Sequence, residues 1–148
     1  MALPDYISLV GGTSRTTGIS NQTVANTYNF LSSTAIDNSA NLDDIADFEI
    51  IWQYSTAPTA NKSLRLYIVY SFDGTNYEDA ASDTVEPVRL TLIRAWSPPA
   101  DTASHRMVVG GFPLLPYKFK LLVRNHDTGQ TVTTTVNCVT RKAAQVVD

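Results

Sequence analysis

Beyond residue 43 the chain is a succession of apolar and polar positions that alternate in six runs. In DIADFEIIWQYS, Phe48, Ile50, Trp52 and Tyr54 recur with period two against Asp47, Glu49 and Gln53. SLRLYIVYS repeats the pattern with Leu64, Leu66, Ile68 and Tyr70, while Tyr67 and Val69 leave its other face apolar too. VRLTLIRAW sets Val88, Leu90 and Leu92 against Arg89 and Thr91, and RMVV at 106–109 is a short run. YKFKLLVRN alternates Tyr117, Phe119, Leu121 and Val123 with Lys118, Lys120 and Arg124. QTVTTTVNCVT opposes Val132, Val136 and Cys138 to Thr133, Thr135 and Asn137. Successive side chains of a strand point to opposite faces, so each run predicts a strand with one buried face. DYISLV at 5–10 predicts one more, at an edge.

The residues between the runs agree. Asp73 and Gly74 form a turn signal, because glycine takes positive φ without steric cost. Asp127, Thr128 and Gly129 predict a hairpin between the last two long strands. Pro98 and Pro99 break the chain after Trp96, as Gly110 and Gly111 do after the short run. No stretch carries a helical period with caps. Six or seven strands predict an all-β, antiparallel two-layer sandwich, jelly roll or Greek key. Its core would hold Trp52, Leu66, Ile68, Leu90, Leu92, Phe119, Leu121 and Val136. Each such side chain contributes roughly 1.5–3 kcal/mol when fully buried.

Residues 11–43 have another texture: twenty of these 33 are Gly, Ser, Thr, Asn or Gln, with only Arg15, Asp37 and Asp43 charged. Their apolar residues (Ile19, Val24, Tyr28, Phe30, Leu31, Ile36) are too sparse to offset alone an ordering cost of roughly 1–2 kcal/mol per residue. The expected organisation is an extended polar arm over residues 1–43 that grips neighbours, followed by a sandwich domain over residues 44–148. Deleting the arm should then leave a folded sandwich that no longer associates.

With 148 residues the chain makes one domain. Charged residues are 17% of it, against roughly 25% in an ordinary soluble domain, which favours a surface covered by partners. Residues 1–88 hold eleven acids and three bases, whereas residues 89–142 hold eight bases and two acids. Either strands from the two halves interleave and the charges mix, or the halves attract across a subunit boundary. A net charge of −3 gives no basic signature for nucleic acid. Neither a signal peptide nor an apolar run long enough for a bilayer is present, so a soluble protein made in the cytoplasm is expected.

Candidate chemistry is thin. Cys138 shares the parity of Val132 and Val136 and reads as a small buried hydrophobe, with no disulfide partner in the chain. His105 and His126 stand apart, and no nucleophile elbow, zinc-protease or phosphate-loop motif occurs. No enzyme, metal or cofactor is expected. In DGTNYED, Asp73, Asn76, Glu78 and Asp79 offer oxygen ligands for calcium, although the spacing is also ordinary turn chemistry. Trp96, beside Pro98, is the aromatic residue placed to meet a sugar, or else a plug at the end of a sandwich.

The order IVYSFDGTNYEDA, a strand, a loop, GGFPLLPYKFKLLVRN, DTGQ and a Thr/Val-rich last strand resembles small virion structural proteins of tailed bacteriophages, above all capsid decoration (cement) proteins. The likeness spans about residues 45–141 and rests on texture and order. It implies a sandwich seated on a capsid lattice, often as a trimer, with the major capsid protein or other virion subunits as partners. It also implies assembly in the host cytoplasm and no nucleic-acid or membrane partner. The family offers no invariant residues to carry over, so the interface candidates come from the sequence itself. They are Tyr28, Phe30 and Leu31 of the arm, Asp43 and Asp44, the basic Lys118, Lys120 and Arg124, and Trp96. The alternative is a tail or baseplate recognition sandwich, with carbohydrate as one ligand.

Overall fold

The computed structural model describes residues 6–9, 11–25, 30–59, 62–77 and 91–146. Its strands are β1 (Tyr6–Leu9), β2 (Thr13–Arg15), β3 (Gln22–Val24), β4 (Phe30–Ser32), β5 (Ile36–Asp37), β6 (Ile45–Tyr54), β7 (Ser63–Ser71), β8 (Thr91–Trp96), β9 (His105–Pro113), β10 (Lys118–His126), β11 (Val132–Arg141) and β12 (Ala143–Val146). One sheet runs β2–β11–β6–β9, with β3 also on β11. The other runs β4–β10–β7–β8, with β5 also on β10. Every pairing is antiparallel.

Alternation builds the core between the sheets. Phe48, Ile50, Trp52 and Tyr54 of β6 are buried, as are Val132, Val136 and Cys138 of β11. Facing them are Leu64, Leu66, Ile68 and Tyr70 of β7 with Phe119, Leu121 and Val123 of β10. The apolar outer face of β7 is explained too: Tyr67 and Val69 join Phe30 and Leu122 in a second cluster. Among the long strands, only β7 and β8 are neighbours both in the chain and in a sheet. Every other step crosses between sheets, and this wrapping is a jelly roll. The 127–131 segment is therefore no hairpin. It carries the chain from β10 in one sheet to β11 in the other, with Asp127 and Gly129 at φ 59 and 75.

The polar segment departs most from the sequence reading. Its strands β2 to β5 are the outer strands on one side of each sheet, β2 and β3 laid along β11, β4 and β5 along β10. Sparse apolar residues suffice because each short piece borrows a long strand as template. Ile19, Val24, Phe30 and Ile36 are all buried. Interruptions are bonded as carefully as the strands. The Val136 amide donates to the Ile19 carbonyl at 2.9 Å, and the Ser33 amide to the Leu121 carbonyl at 2.8 Å. Thr17 Oγ1 donates to the Val136 carbonyl at 2.6 Å. Ladder bonds to the long strands and the burial of those four apolar side chains together hold this segment.

Two smaller corrections concern edges. Leu92, expected inside, is 48% exposed, whereas Ile93 and Trp96 pack on the core. A register shift against β7 between Leu66 and Tyr67 changes the parity of β8. Strand β9 runs through Gly110 and Gly111 instead of stopping at them. Gly111 adopts φ 70 at a bulge opposite Asp47, between the Ala46–Phe112 and Phe48–Val109 pairs, and its amide donates to Asp47 Oδ1 at 2.9 Å. Val88 and Leu90 lie outside the described residues.

Candidate interaction surface

One end of the sandwich gathers three of the five large apolar side chains exposed among the described residues. Strand β5 ends at Asp37, β7 at Ser71, and the link between β9 and β10 occupies residues 114–117. Asn38 ties two of these loops together. Its Nδ2 donates to the Asp43 carbonyl at 2.9 Å and the Leu115 carbonyl at 3.0 Å, and its Oδ1 accepts from the Asp43 amide. The Leu42 amide donates to the Asn38 carbonyl, which places Leu42 (φ 54) on the same rim. Phe72, directly after β7, is 84% exposed; Leu42 and Leu115 are each 49% exposed.

Phe72 stands over Tyr117 with ring centroids 5.4 Å apart. The pair walls a cleft of about 240 Å³ completed by Ser39, Ser71, Asp73, Gly74 and Lys118. Lys118 Nζ lies 3.8 Å from Asp37 Oδ2 across a partly solvated gap. Hydrogen bonds from the Ser39 hydroxyl and amide, reinforced by Lys118, hold the Asp37 carboxyl below its usual range. Asp73 is occupied by its own turn. It accepts from the amides of Asn76 and Thr75 at 2.7 and 2.8 Å, from Asn76 Nδ2 at 2.7 Å and from Ser71 Oγ at 3.1 Å. Those donors keep it strongly acidic. A carboxylate so saturated by its turn has little left for a cation. Glu78 and Asp79, the other proposed calcium ligands, lie outside the described residues. Among the described residues no group of three His, Cys, Asp or Glu side chains is placed to hold a metal.

The sequence-derived interface residues do not converge. Tyr28 lies outside the described residues. Phe30 is 7% exposed, edge-on to Tyr67 at 6.0 Å, and the Arg124 guanidinium carbon lies 5.3 Å from its ring centroid. Leu31 packs against the central core. Arg124 is fully buried, so neither it nor Phe30 is a surface contact as the fold stands. Lys120 Nζ sits 4.4 Å from the Tyr77 ring centroid. Asp43 is bound within the chain by Arg15 at 2.7 Å. The exposed Asp44 joins β6 to its neighbours: its amide donates to the Arg141 carbonyl and its carbonyl accepts from the Leu114 amide. The acidic and basic halves thus mix within one domain, as Asp47–Arg141 (2.8 Å) and Glu49–Arg106 (3.3 Å) also show.

Trp96 is not a free platform. Its ring lies 5.3 Å from Trp52, across the two sheets, and His105 stacks on Trp52 at 5.7 Å. His105 Nε2 in turn meets Asp101 Oδ1 at 2.7 Å. This is a plug at the end of the sandwich opposite the cleft. Cys138 is buried, and desolvation pushes its thiol up to about 12. It pairs across the sheet with Phe48, whereas His105 pairs with Trp52, four residues along β6, and His126 belongs to the other sheet. The thiol therefore has no imidazole to activate it.

Leu42, Phe72 and Leu115 were missed as surface residues. The available signal was a large apolar residue beside a Gly or Pro turn, just past the end of its strand or just before the start of the next: Phe72 before Asp73-Gly74, Leu115 between Pro113 and Pro116.

No family model matches the sequence, and no curated protein matches it. Among solved structures the chain is similar to one described as the structure of infectious bursal disease virus Gx strain. That similarity has a TM-score of 0.41 at 11% identity and covers 94% of this chain but 32% of the other. This chain thus spans about a third of that one's length, and a likeness so distant bears no weight on function.

Proposed function

We propose that this is a non-enzymatic structural protein of a virion, a capsid decoration protein of a tailed bacteriophage, that docks on major capsid subunits and stabilises the shell. The observation that carries the reading is the end of the sandwich where Phe72 walls the cleft and Leu42 and Leu115 stand exposed on the loops that Asn38 joins. Large apolar side chains clustered at loop tips expose surface that a partner would cover. The surrounding carboxylates serve turns and ion pairs, which suits docking better than catalysis. The sequence texture supports the phage assignment. The jelly roll is compatible with it but hosts other functions as well. Docking through this end replaces the gripping arm, whose described strands belong to the sandwich. A homo-oligomer, with a trimer as one arrangement, would multiply weak contacts over a symmetric shell.

Particles carrying the protein and particles made without it are compared by heat-induced genome release. Loss of the protein should lower the release temperature. Adding back wild-type protein should restore it, and adding back Phe72→Ser should not. Equal release temperatures with and without the protein would end the decoration reading.

A second reading is favoured by one feature, the Phe72–Tyr117 wall beside Lys118 and Ser39, which also suits a small polar ligand with an apolar face. In that case the protein is a recognition module of a tail or baseplate. Glycan binding lost in Phe72→Ser, with unchanged particle stability, would select it.

A further inference from the structure

Strands β1 and β12 pair only with each other among the described residues, from Tyr6 opposite Val146 to Leu9 opposite Ala143. They form a sheet of their own that adjoins, along the chain, the end of the β2–β11 ladder at Thr13 opposite Thr140. Only Lys142 separates β11 from β12, and Val10, Gly11 and Gly12 separate β1 from β2. The two terminal segments therefore leave the first sheet together as a two-stranded ribbon, at the same end as Asp44 and Leu114. A two-stranded ribbon alone is marginal in water, and each of its outer edges presents unpaired amides and carbonyls.

The same sheet ends on its far side in another open edge. Strand β9, nine residues long, pairs only with β6 among the described residues. Exposed edges are usually guarded by charge, proline or a bulge; β9 has its bulge at Gly110–Gly111 and Pro113 at its last residue, which leaves Arg106–Val109 without either. Here Val108 is 65% exposed at mid-strand, followed by Val109 and Gly110, and Arg106 is drawn to Glu49 of its own sheet. The ribbon cannot reach this edge in its own copy. Strand β9 lies two strand spacings from β11, roughly 10 Å, and a single linking residue cannot turn β12 back across β6. Among the described residues each copy thus carries a ribbon and an edge without a further strand partner, and the two can meet only between copies.

We propose that the β1–β12 ribbon of one copy adds to the β9 edge of a second copy, joining two sheets by strand addition. The contact is head-to-tail, so it closes into a ring or runs on as an open chain, according to the rotation between copies. It is independent of the virion reading, because it is a property of the isolated protein.

Ser8→Cys, on β1, and Val108→Cys, on β9, are prepared separately as full chains and mixed under mild oxidation. The buried Cys138 is the only native thiol and stays silent. The expected result is a disulfide-linked pair that forms in the mixture and contains one chain of each variant. Val108→Cys pairing mainly with itself would mean an edge-to-edge dimer. Ser8→Cys pairing mainly with itself would mean ribbon against ribbon. Either outcome overturns the proposal, as does a monomer at all concentrations by sedimentation velocity. As a second check, Val108→Lys places a charge on the edge at an exposed site that should not disturb folding. It should weaken self-association at least tenfold, and an unchanged oligomer would exclude the β9 edge.

Discussion

Arg15 and Asp43 form a 2.7 Å ion pair that fastens β2 to the chain two residues ahead of β6, with Thr140 of β11 held between them. Arg15 Nε donates to Thr140 Oγ1, which donates in turn to Asp43 Oδ2. Burial alone would raise the Asp43 carboxyl, but the hydrogen bonds from Thr140 and Arg15 outweigh it and leave the group below its usual value of 3.8. A depressed folded value means that the stabilisation is complete above the unfolded value and is lost as pH falls through the folded one. Asp43→Asn should therefore cost about 1.5–3 kcal/mol at neutral pH, the scale of hydrogen bonds to a charged group. Its deficit relative to wild type should shrink below about pH 3.8. Urea unfolding at pH 7 and pH 3 measures both; an equal deficit at the two values would remove the carboxylate from the argument.

Residues 13–37 complete both sheets, so their removal should not leave a folded remainder. A chain lacking residues 1–43 would expose one side of β10 and of β11 and would lose Ile19, Val24, Phe30 and Ile36 from buried positions. At roughly 1.5–3 kcal/mol for each such side chain, the loss rivals the 5–15 kcal/mol stability of a typical domain. Circular dichroism and thermal melting of the truncated chain should show no cooperative transition. A sharp melt near the wild-type temperature would restore the arm.

Replacing Trp96 by alanine should destabilise the protein by about 2 kcal/mol, less than the roughly 3–5 kcal/mol for a fully buried tryptophan, since it is only partly covered. The same change should alter the fluorescence of Trp52, whose ring is its neighbour at 5.3 Å. Partner or glycan binding should survive it, because the cleft lies at the other end.

Cys138 should resist thiol reagents in the native protein at pH 8, since burial pushes its value up to about 12 and leaves almost no thiolate. It should react only as the protein unfolds, so the labelling rate in increasing urea should follow the unfolding transition. Rapid labelling of folded protein would show that β11 opens locally.

The long strands were legible in the sequence because β6, β7, β10 and β11 each bury one face completely, and period two writes that burial into residue order. The outer strands were not, for a physical reason. Segments such as Thr13–Arg15 or Ile36–Asp37 are too short to show a period, and what holds them is the backbone of a strand about a hundred residues away. Glycine at 110 and 111 misled in the opposite sense, because a bulge lets a strand pass through residues that elsewhere end one. The candidate surface was illegible where it depended on parity: Phe72 is exposed only because β7 ends at Ser71. Lys118 was visible by its alternation, whereas the complete burial of Arg124 depends on the second cluster over the outer face of that sheet.

The early strands β2 to β5 have as their only partners in the two sheets, among the described residues, the last long strands, β10 and β11. Neither sheet can close until those late strands emerge, and β6 and β7 wait beside them with apolar faces uncovered. Closure of this sandwich therefore waits for β10 and β11 rather than proceeding sheet by sheet along the chain. Contacts so distant in sequence also make it a slow folder. The interval in which β6 and β7 stand open is when a chaperone, or another nascent copy, would find it.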